Sequence, residues 1–450
     1  MKTRKRRFEL LSFYDHTGIE QHLTEMARRG WMIQRMSNYG WTYRRIEPQE
    51  LSFTVSYFPK ASAFDPAPSE AQQTLLDFCA QSGWKLVCSW FQMQVFCSSE
   101  PQPTPIHTEP ALEVEAIHRA CKANYLRSYL ILFGISLVMT LLFLSSLISD
   151  TLRILASPTD FITGTGFLLL FLLCLVELTT YYTWHRRAKR AAQHGLFLDT
   201  PSTSGFQRIL LIVLAACVLI WLGNILSLGS PLMGWIILMV SLTLAAVVSL
   251  TGAVRELLKK LRAPAGVNRG LTFLASLLLS CVLMTAVVSL GAALSSGLTV
   301  EELPLNAQAP LLLSDLGQSE SGSSLTTVSP DESLLLARLE VFQRPGFEED
   351  ARPDAPTLRY ERYTVKLPAL YPFCRDQLKR LMVLSAFWDG EMEIRDAAPW
   401  GAEEVWRLVR DDSPEPASYL LCYENILVWI EFSWEPTPEQ MAIVGSTLGK

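Results

Sequence analysis

Five apolar runs dominate the middle of the chain, over residues 129–148, 162–184, 209–228, 232–254 and 271–294. A hydrocarbon core of about 30 Å takes about 20 helical residues to cross, and every run reaches that length. In lipid the backbone must satisfy its own hydrogen bonds, so these runs predict helices. Before them the pattern shortens. Residues 8–13 read as a strand. Residues 17–29 read as a helix, with Thr17 as N-cap and Ile19, Leu23, Met26 and Ala27 on one face, stopped by Gly30. Strands follow over 31–36, 41–46 and 51–58, the last alternating Phe53, Val55 and Tyr57. After a loop over 59–68, Ser69 caps a second helix to Gln81 with Leu75, Leu76, Cys79 and Ala80 as its stripe. Gly83 ends it, and strands over 84–90 and 92–97 close the region. Residues 107–122 predict a connecting helix that runs nearly continuously into the first apolar run.

Past the last run, residues 299–332 are rich in Ser, Gln and acid around GQSESGSS and read as a flexible spacer. Folded patterning then returns. Strands are expected over 337–343, 359–366, 391–395, 404–409, 419–423 and 426–432. Helices are expected over 372–384 and 437–448, the latter with Pro438 at its first position.

Composition agrees with this layout. Of the 450 residues, 49% are hydrophobic and 18% charged, and mean hydropathy is +0.21. That excludes a purely soluble or disordered chain. The net charge of −5 hides an uneven spread: +2 over 1–128, +6 over 129–294 and −13 over 295–450. No feature of it calls for a nucleic-acid partner. Lys and Arg flanking the apolar runs number 13 on one side (Arg119, Lys122 and Arg127; the 186–190 and 208 cluster; the 255–269 cluster) against Arg153 alone on the other. Basic loops stay inside, so the N-terminus is expected in the cytoplasm and the C-terminus outside. Residues 2–7 are basic but 8–18 lack an apolar core, so no leader is expected and the first spanning helix acts as an internal start-transfer segment.

The N-terminal region carries a weak internal repeat. Leu23, Met26, Ala27, Gly30 and Trp31 recur 53 residues later as Leu76, Cys79, Ala80, Gly83 and Trp84. The unit is strand, helix, Gly-Trp, strand, strand, used twice, and two such units can make one twisted sheet with both helices on one face. That topology is similar to the duplicated effector-binding modules of the gyrase-inhibitor-like class, which hold small molecules between their halves. Fold alone does not fix function. The stretches FYDHTGIEQHLTEMARRGW, YFPKAS, CAQSGWKLVCSW, QVFCSS and PTPIHTEP, in that order over residues 8–125, resemble the bacterial membrane family labelled domain of unknown function 2812. The resemblance implies a cytoplasmic α+β module ahead of membrane helices, often encoded near PadR-type transcriptional regulators. It carries no assigned chemistry.

Candidate chemistry is sparse. His16, His22, His107 and His118 make no HExxH spacing, and Cys79, Cys88, Cys97 and Cys121 form no CxxC pair. No phosphate-binding glycine loop is present in the N-terminal region, and the region after the last run contains no His. No catalytic residue, cofactor site or metal site is assigned, and the chain is expected not to be an enzyme. The acidic cluster Glu348, Glu349, Asp350 and Asp354 lacks the calcium-loop spacing and reads as solvated. Trp31, Trp41, Tyr57, Trp84 and Trp90 are candidates to line a ligand cleft, with core packing as the competing reading; the tryptophans Trp388, Trp400, Trp406, Trp429 and Trp434 pose the same choice outside. Within the apolar runs, Glu177 can mark an ion path or be a carboxylate near the basic interface, snorkelling or paired with Arg. Asn224 reads as interhelical glue. Cys374 and Cys422 are the two cysteines expected in an oxidising compartment and form a candidate disulfide.

The expected protein is therefore a multidomain, multi-pass cell-membrane protein. Residues 1–105 form a cytoplasmic α+β domain from a duplicated βαββ-like unit, and 106–128 a connecting helix. Residues 129–294 form five transmembrane helices, 295–333 a flexible linker, and 334–450 an extracytoplasmic α+β domain. The function expected is non-enzymatic sensing or protein interaction across the membrane. Its expected partners are the lipid bilayer, a protein, and a small molecule on the cytoplasmic domain. The alternative is a small-molecule transporter, or its accessory subunit, using Glu177.

Overall fold

The structure is a computed structural model and describes residues 3–9, 11–37, 40–100, 103–201, 204–227, 231–297, 309–318, 324–345, 356–385, 390–410 and 417–450. The chain divides into two compact units: Met1–Thr140 with Gly166–Ala293, and Leu141–Thr165 with Leu294–Lys450.

The first unit opens on the repeat. Its first half is β1 (Arg4–Arg7), α1 (His16–Arg28), β2 (Trp31–Arg35) and β3 (Trp41–Arg45). The second is β4 (Ser52–Tyr57), α2 (Glu70–Gln81), β5 (Lys85–Trp90) and β6 (Met93–Ser98). Each half makes a three-stranded antiparallel sheet in the same order, β1-β3-β2 and β4-β6-β5. The 53-residue offset extends to the backbone. Gly30 and Gly83 both leave their helix in the left-handed region, at φ 79° and 81°, where a Cβ is unfavourable. The ladder slips between Ile33 and Arg35 in one half and between Leu86 and Cys88 in the other.

Three expectations need correction here. The halves form two hydrogen-bonded sheets rather than one. The first strand is Arg4–Arg7, paired with Trp41–Arg44, and not residues 8–13. All four β1 side chains are exposed, so the strand shows no apolar alternation to read. Phe13 and Tyr14 instead leave the ladder for the core. Asp15, rather than Thr17, caps α1, accepting the Gly18 N–H at 3.0 Å.

The chain continues through α3 (Pro110–Ala123), α4 (Tyr125–Ser149), α5 (Thr151–Ala156), α6 (Pro158–Gln193), α7 (Ser204–Ser227), α8 (Pro231–Lys260) and α9 (Ala265–Gly297). Among the described residues, α4 and α6 to α9 are five helices long and apolar enough to cross a membrane. Each contains or closely overlaps one of the predicted runs. The connecting helix α3 breaks from α4 only at Asn124. One buried cluster joins α1 (Ile19, Leu23), the sheets (Ile33, Tyr43, Val55), α3 (Ile117, Cys121), the start of α4 (Tyr125) and α6 (Tyr181, Trp184).

The second unit holds α5 and a seven-stranded antiparallel sheet. Its strands are β7 (Ser324–Glu332), β8 (Leu336–Pro345), β9 (Leu358–Val365), β10 (Gly390–Arg395), β11 (Glu404–Arg410), β12 (Ala417–Cys422) and β13 (Ile426–Phe432). They run in the order β10-β11-β12-β13-β9-β8-β7. Helices α10 (Tyr371–Ser385) and α5 cover one face through Leu152, Leu378, Met382 and Leu420. Helix α11 (Pro438–Leu448) and a 3-10 turn at Leu313–Leu316 cover the other through Val444, Leu448, Tyr360 and Phe432. The spacer expected over 295–333 thus contains that turn and β7. Polar β7 is an edge strand, and Pro330 is tolerated there. The acidic residues Glu348, Glu349, Asp350 and Asp354, and Trp388, lie outside the described residues.

Candidate functional site

The most concentrated polar chemistry in the first unit lies where the segment before α1 meets α4, α6 and α7. The sequence around it sets the geometry. Asp15 turns the chain into α1, and Gly18 is required because a Cβ there would run into the Asp15 carboxylate. Thr200, in the connection after α6, donates its hydroxyl to Asp15, and its backbone N–H reaches Thr17 Oγ1 at 2.8 Å. The connection is therefore bound to the start of α1.

Behind this turn Tyr14 is fully buried. Its ring packs 5.8 Å from Tyr125, 5.1 Å from Tyr181 and 5.6 Å from Trp184. Such aromatic pairs contribute about 0.5–1.5 kcal/mol each beyond their burial. The Tyr14 hydroxyl is buried without a hydrogen-bond partner, and burial, with Glu177 next, pushes its pKa well up.

Glu177 sits at the centre. It is 2% exposed, a position where an unpartnered carboxylate would be costly. Ser12 and Tyr125 donate hydroxyls to its Oε1, and Gln207 donates its amide to Oε2. No Lys or Arg pairs with it among the described residues. Glu177 is therefore neither snorkelling nor ion-paired. It is a hub joining the pre-α1 segment, α4, α6 and α7. Asn224 lies on α7, but its side chain falls outside the described residues.

Further buried or half-buried histidines and carboxylates lie in the first unit. His118 Nδ1 lies 2.8 Å from the Tyr181 hydroxyl, and its ring stacks on His185 at 4.2 Å. Burial, with Lys122 and Lys189 behind it, lowers the His118 pKa. His16 Nε2 lies 3.7 Å from Glu113, and burial lowers its pKa too. Burial pushes Glu113 up to about 6. Glu20 accepts from the Val55 N–H at 2.8 Å and from the Thr54 hydroxyl, yet burial still pushes it up to about 7. His107 is 3.0 Å from Ser56 and is lowered by burial. Among the described residues no group of three or more His, Cys, Asp or Glu side chains is arranged to hold a metal ion. Of these groups, burial brings Glu20 and Glu113 toward neutrality.

Four of the five candidate cleft aromatics belong to or pack against the main core, and Trp84 stands apart. Trp41 and Tyr57 are buried in the main core, where Tyr57 donates to the Phe13 carbonyl at 2.6 Å. Trp84 belongs to a separate cluster with Cys79 and Phe96. Trp31 is half-buried between Lys5 and Arg45, at 5.3 and 5.1 Å from its ring. Trp90 packs on Phe13 and Phe91. In the second unit, Trp400 is buried and Trp406 lies under Lys379 at 3.3 Å.

The expected Cys374–Cys422 bridge is not made. Both are free, buried thiols in one apolar cluster. Each therefore fills the core as a small apolar side chain.

Sequence reasoning singled out Glu177 but not its partners. Ser12, Tyr125, Gln207 and Thr200 carry no periodic signal, since each acts across more than 29 residues of chain. The Tyr181-Tyr182-Thr183-Trp184-His185 run was the available clue, because aromatics gather at membrane–water boundaries.

Residues 15–131 match the family described as "Protein of unknown function (DUF2812)", as the resemblance implied. The match ends just past Tyr125. No curated protein and no solved structure shows significant similarity to the chain.

Proposed function

We propose that the protein is a non-enzymatic, multi-pass membrane protein that relays the state of its N-terminal module to the membrane helices through Glu177. In this reading the N-terminus is cytoplasmic and the C-terminal sheet extracytoplasmic. One observation carries it: three donors from three separate segments converge on one buried carboxylate. A movement of the pre-α1 segment must then act on α4, α6 and α7, because breaking any arm leaves a buried polar group unpaired. Charge supports the sidedness. The connection at Thr200 and the Asn268 turn, which belong to the basic side, pack with the N-terminal module, while the α5 loop packs with the C-terminal sheet. Both Glu177 oxygens are occupied by protein donors, which leaves the transporter alternative without a supporting observation. A small molecule or protein that shifts the module is the input this reading calls for.

The test is hydrogen exchange on the full chain in lipid nanodiscs. Glu177→Leu is expected to raise exchange in both 11–19 and 205–212, while Glu177→Gln, which keeps a carbonyl acceptor, raises it less. Unchanged protection of 11–19 in the Leu variant would end the relay reading. Cysteine accessibility should place the 186–190 loop inside and position 320 outside, and labelling of position 320 from the inside would reverse the topology.

A further inference from the structure

A cavity of about 740 Å³ lies in the first unit between the 61–68 loop, the Trp90-Phe91 turn and helices α8 and α9. Its volume falls in the range of small-molecule sites. Its polarity is graded along α8. Val247 and Val248 line one end, Thr251 and Gly252 the middle, and Arg255 and Lys259 the other. At about 1.5 Å per residue, the apolar end is about 18 Å from Lys259.

The charged end is cationic. Arg35, Arg255 and Lys259 line the cavity against the single carboxylate of Asp65, whose Oδ2 already accepts the Ser62 N–H at 2.8 Å. Glu256 lies outside the lining, 3.3 Å from Arg255 Nη2 and 3.5 Å from Lys259 Nζ. Two donors point to an absent acceptor: Arg255 Nε and Thr251 Oγ1, one turn apart, are both buried without a hydrogen-bond partner. The walls are built. Asn268 Nδ2 holds the Phe64 carbonyl at 3.1 Å, and the Arg269 guanidinium lies 5.6 Å over the Phe64 ring. Phe91 holds a left-handed backbone at φ 54° in the β5–β6 turn, which fixes where its side chain lines the cavity.

We infer that this cavity binds an anionic phosphoryl group, with the apolar remainder of an amphiphile lying along Val247 and Val248. Basic pockets at the cytoplasmic ends of spanning helices suit anionic lipid headgroups, and the graded lining matches such a molecule end to end. The inference rests on the membrane reading above, with the α8–α9 turn on the cytoplasmic side. A free phosphorylated molecule would offer the same head chemistry, so the test separates the two sources.

The full chain is reconstituted in vesicles of phosphatidylcholine alone or with about one-fifth phosphatidylglycerol, and retained lipid is counted by native mass spectrometry with and without inorganic phosphate. Wild type is expected to retain phosphatidylglycerol over phosphatidylcholine. The Arg255→Gln, Lys259→Gln double variant should weaken retention about thirtyfold, each cation being worth about fivefold. Lys260→Gln with Arg262→Gln removes the same charge outside the cavity lining and should weaken it far less. Val248→Trp, which fills the apolar end, should also abolish retention and covers the case of a misfolded double variant. Displacement by phosphate identifies a soluble phosphoryl ligand; resistance to it identifies the lipid. Equal retention of both lipids without phosphate binding, or equal effects of the two double variants, would overturn the site. A chain that floats with neither vesicle defeats the membrane reading instead, and the phosphate arm still reads the cavity.

Discussion

The two βαββ halves of the N-terminal module share strand order, a left-handed glycine after the helix and a ladder slip at matching positions, yet their helices live in different surroundings. Helix α1 buries His16, Ile19, Leu23, Met26 and Ala27. Helix α2 buries Cys79 alone, and Phe78 is 58% exposed. The start of α1 is bound to Thr200, and the segment before it to Glu177. The start of α2 is capped by Ser69 in an exposed position. The first copy is bound at the start of its helix to the connection after α6, whereas the second meets α9 through its Phe64 loop and leaves α2 on a small core of Cys79, Trp84 and Phe96. A repeated fold therefore fixes the frame of each half without fixing its role.

The largest predicted difference between the halves comes from matched leucines. Leu23→Ala empties a site 1% exposed and should cost about 3 kcal/mol. Leu76→Ala, at the equivalent position but only partly buried, should cost about 1 kcal/mol. Thermal melts of the full chain in detergent read both, and equal losses would erase the comparison.

Glu20 sharpens it through pH. Its pKa is raised from 4.5 to about 7 by burial, so the folded state holds its proton over that window while the unfolded chain releases it. Stability therefore falls as pH rises from about 4.5 to 7, and the full penalty applies above. Glu20→Gln should be more stable than wild type by about 2 kcal/mol at pH 8, with the gain gone at pH 4. His16 and His107 act in the opposite sense, since burial lowers their pKa values; their contribution is lost as pH falls below about 6.5. A melting series in which Glu20→Gln gains nothing at pH 8 would remove this carboxylate from the account.

Gly18→Ala should disturb the Asp15 cap and cost about 1 kcal/mol, with faster hydrogen exchange at Thr200. In α2 the Ser69 hydroxyl caps through the N–H of Gln72, so the residue at the matching cap position already carries a side chain. The smallest expected difference is between Gly30→Ala and Gly83→Ala. Both sites hold a left-handed backbone, so each should cost about 1 kcal/mol, with Gly30→Ala the costlier because its Cβ would lie 2.9 Å from the Ile46 carbonyl while at Gly83 it meets only the Glu100 side chain. A larger loss for Gly83→Ala would contradict this.

Local chemistry made much of this architecture readable. Apolar length marked the five helices long and apolar enough to cross a membrane, and Gly30, Gly83, Ser69 and Pro438 marked helix ends. Strand-like patterning marked β8 to β13. What escaped was held by something other than its own pattern. Strand β1 is four exposed basic residues kept in place by the β3 ladder. Strand β7 is a polar edge. Helix α5 is six residues long, and only its packing on α10 and β8 makes sense of Leu152 and Ala156. The Glu177 hub was half legible: a carboxylate in an apolar run is conspicuous, but partners 165, 52 and 30 residues away are not.

The central claim is that Ser12 and Glu177 act on each other across the junction. A double-mutant cycle with Ser12→Ala and Glu177→Leu, read by melting of the full chain in nanodiscs, measures that directly. The account predicts a coupling of about 1–2 kcal/mol. Strictly additive losses would contradict it, leaving Glu177 as a packing residue and the N-terminal module without this connection to the helices.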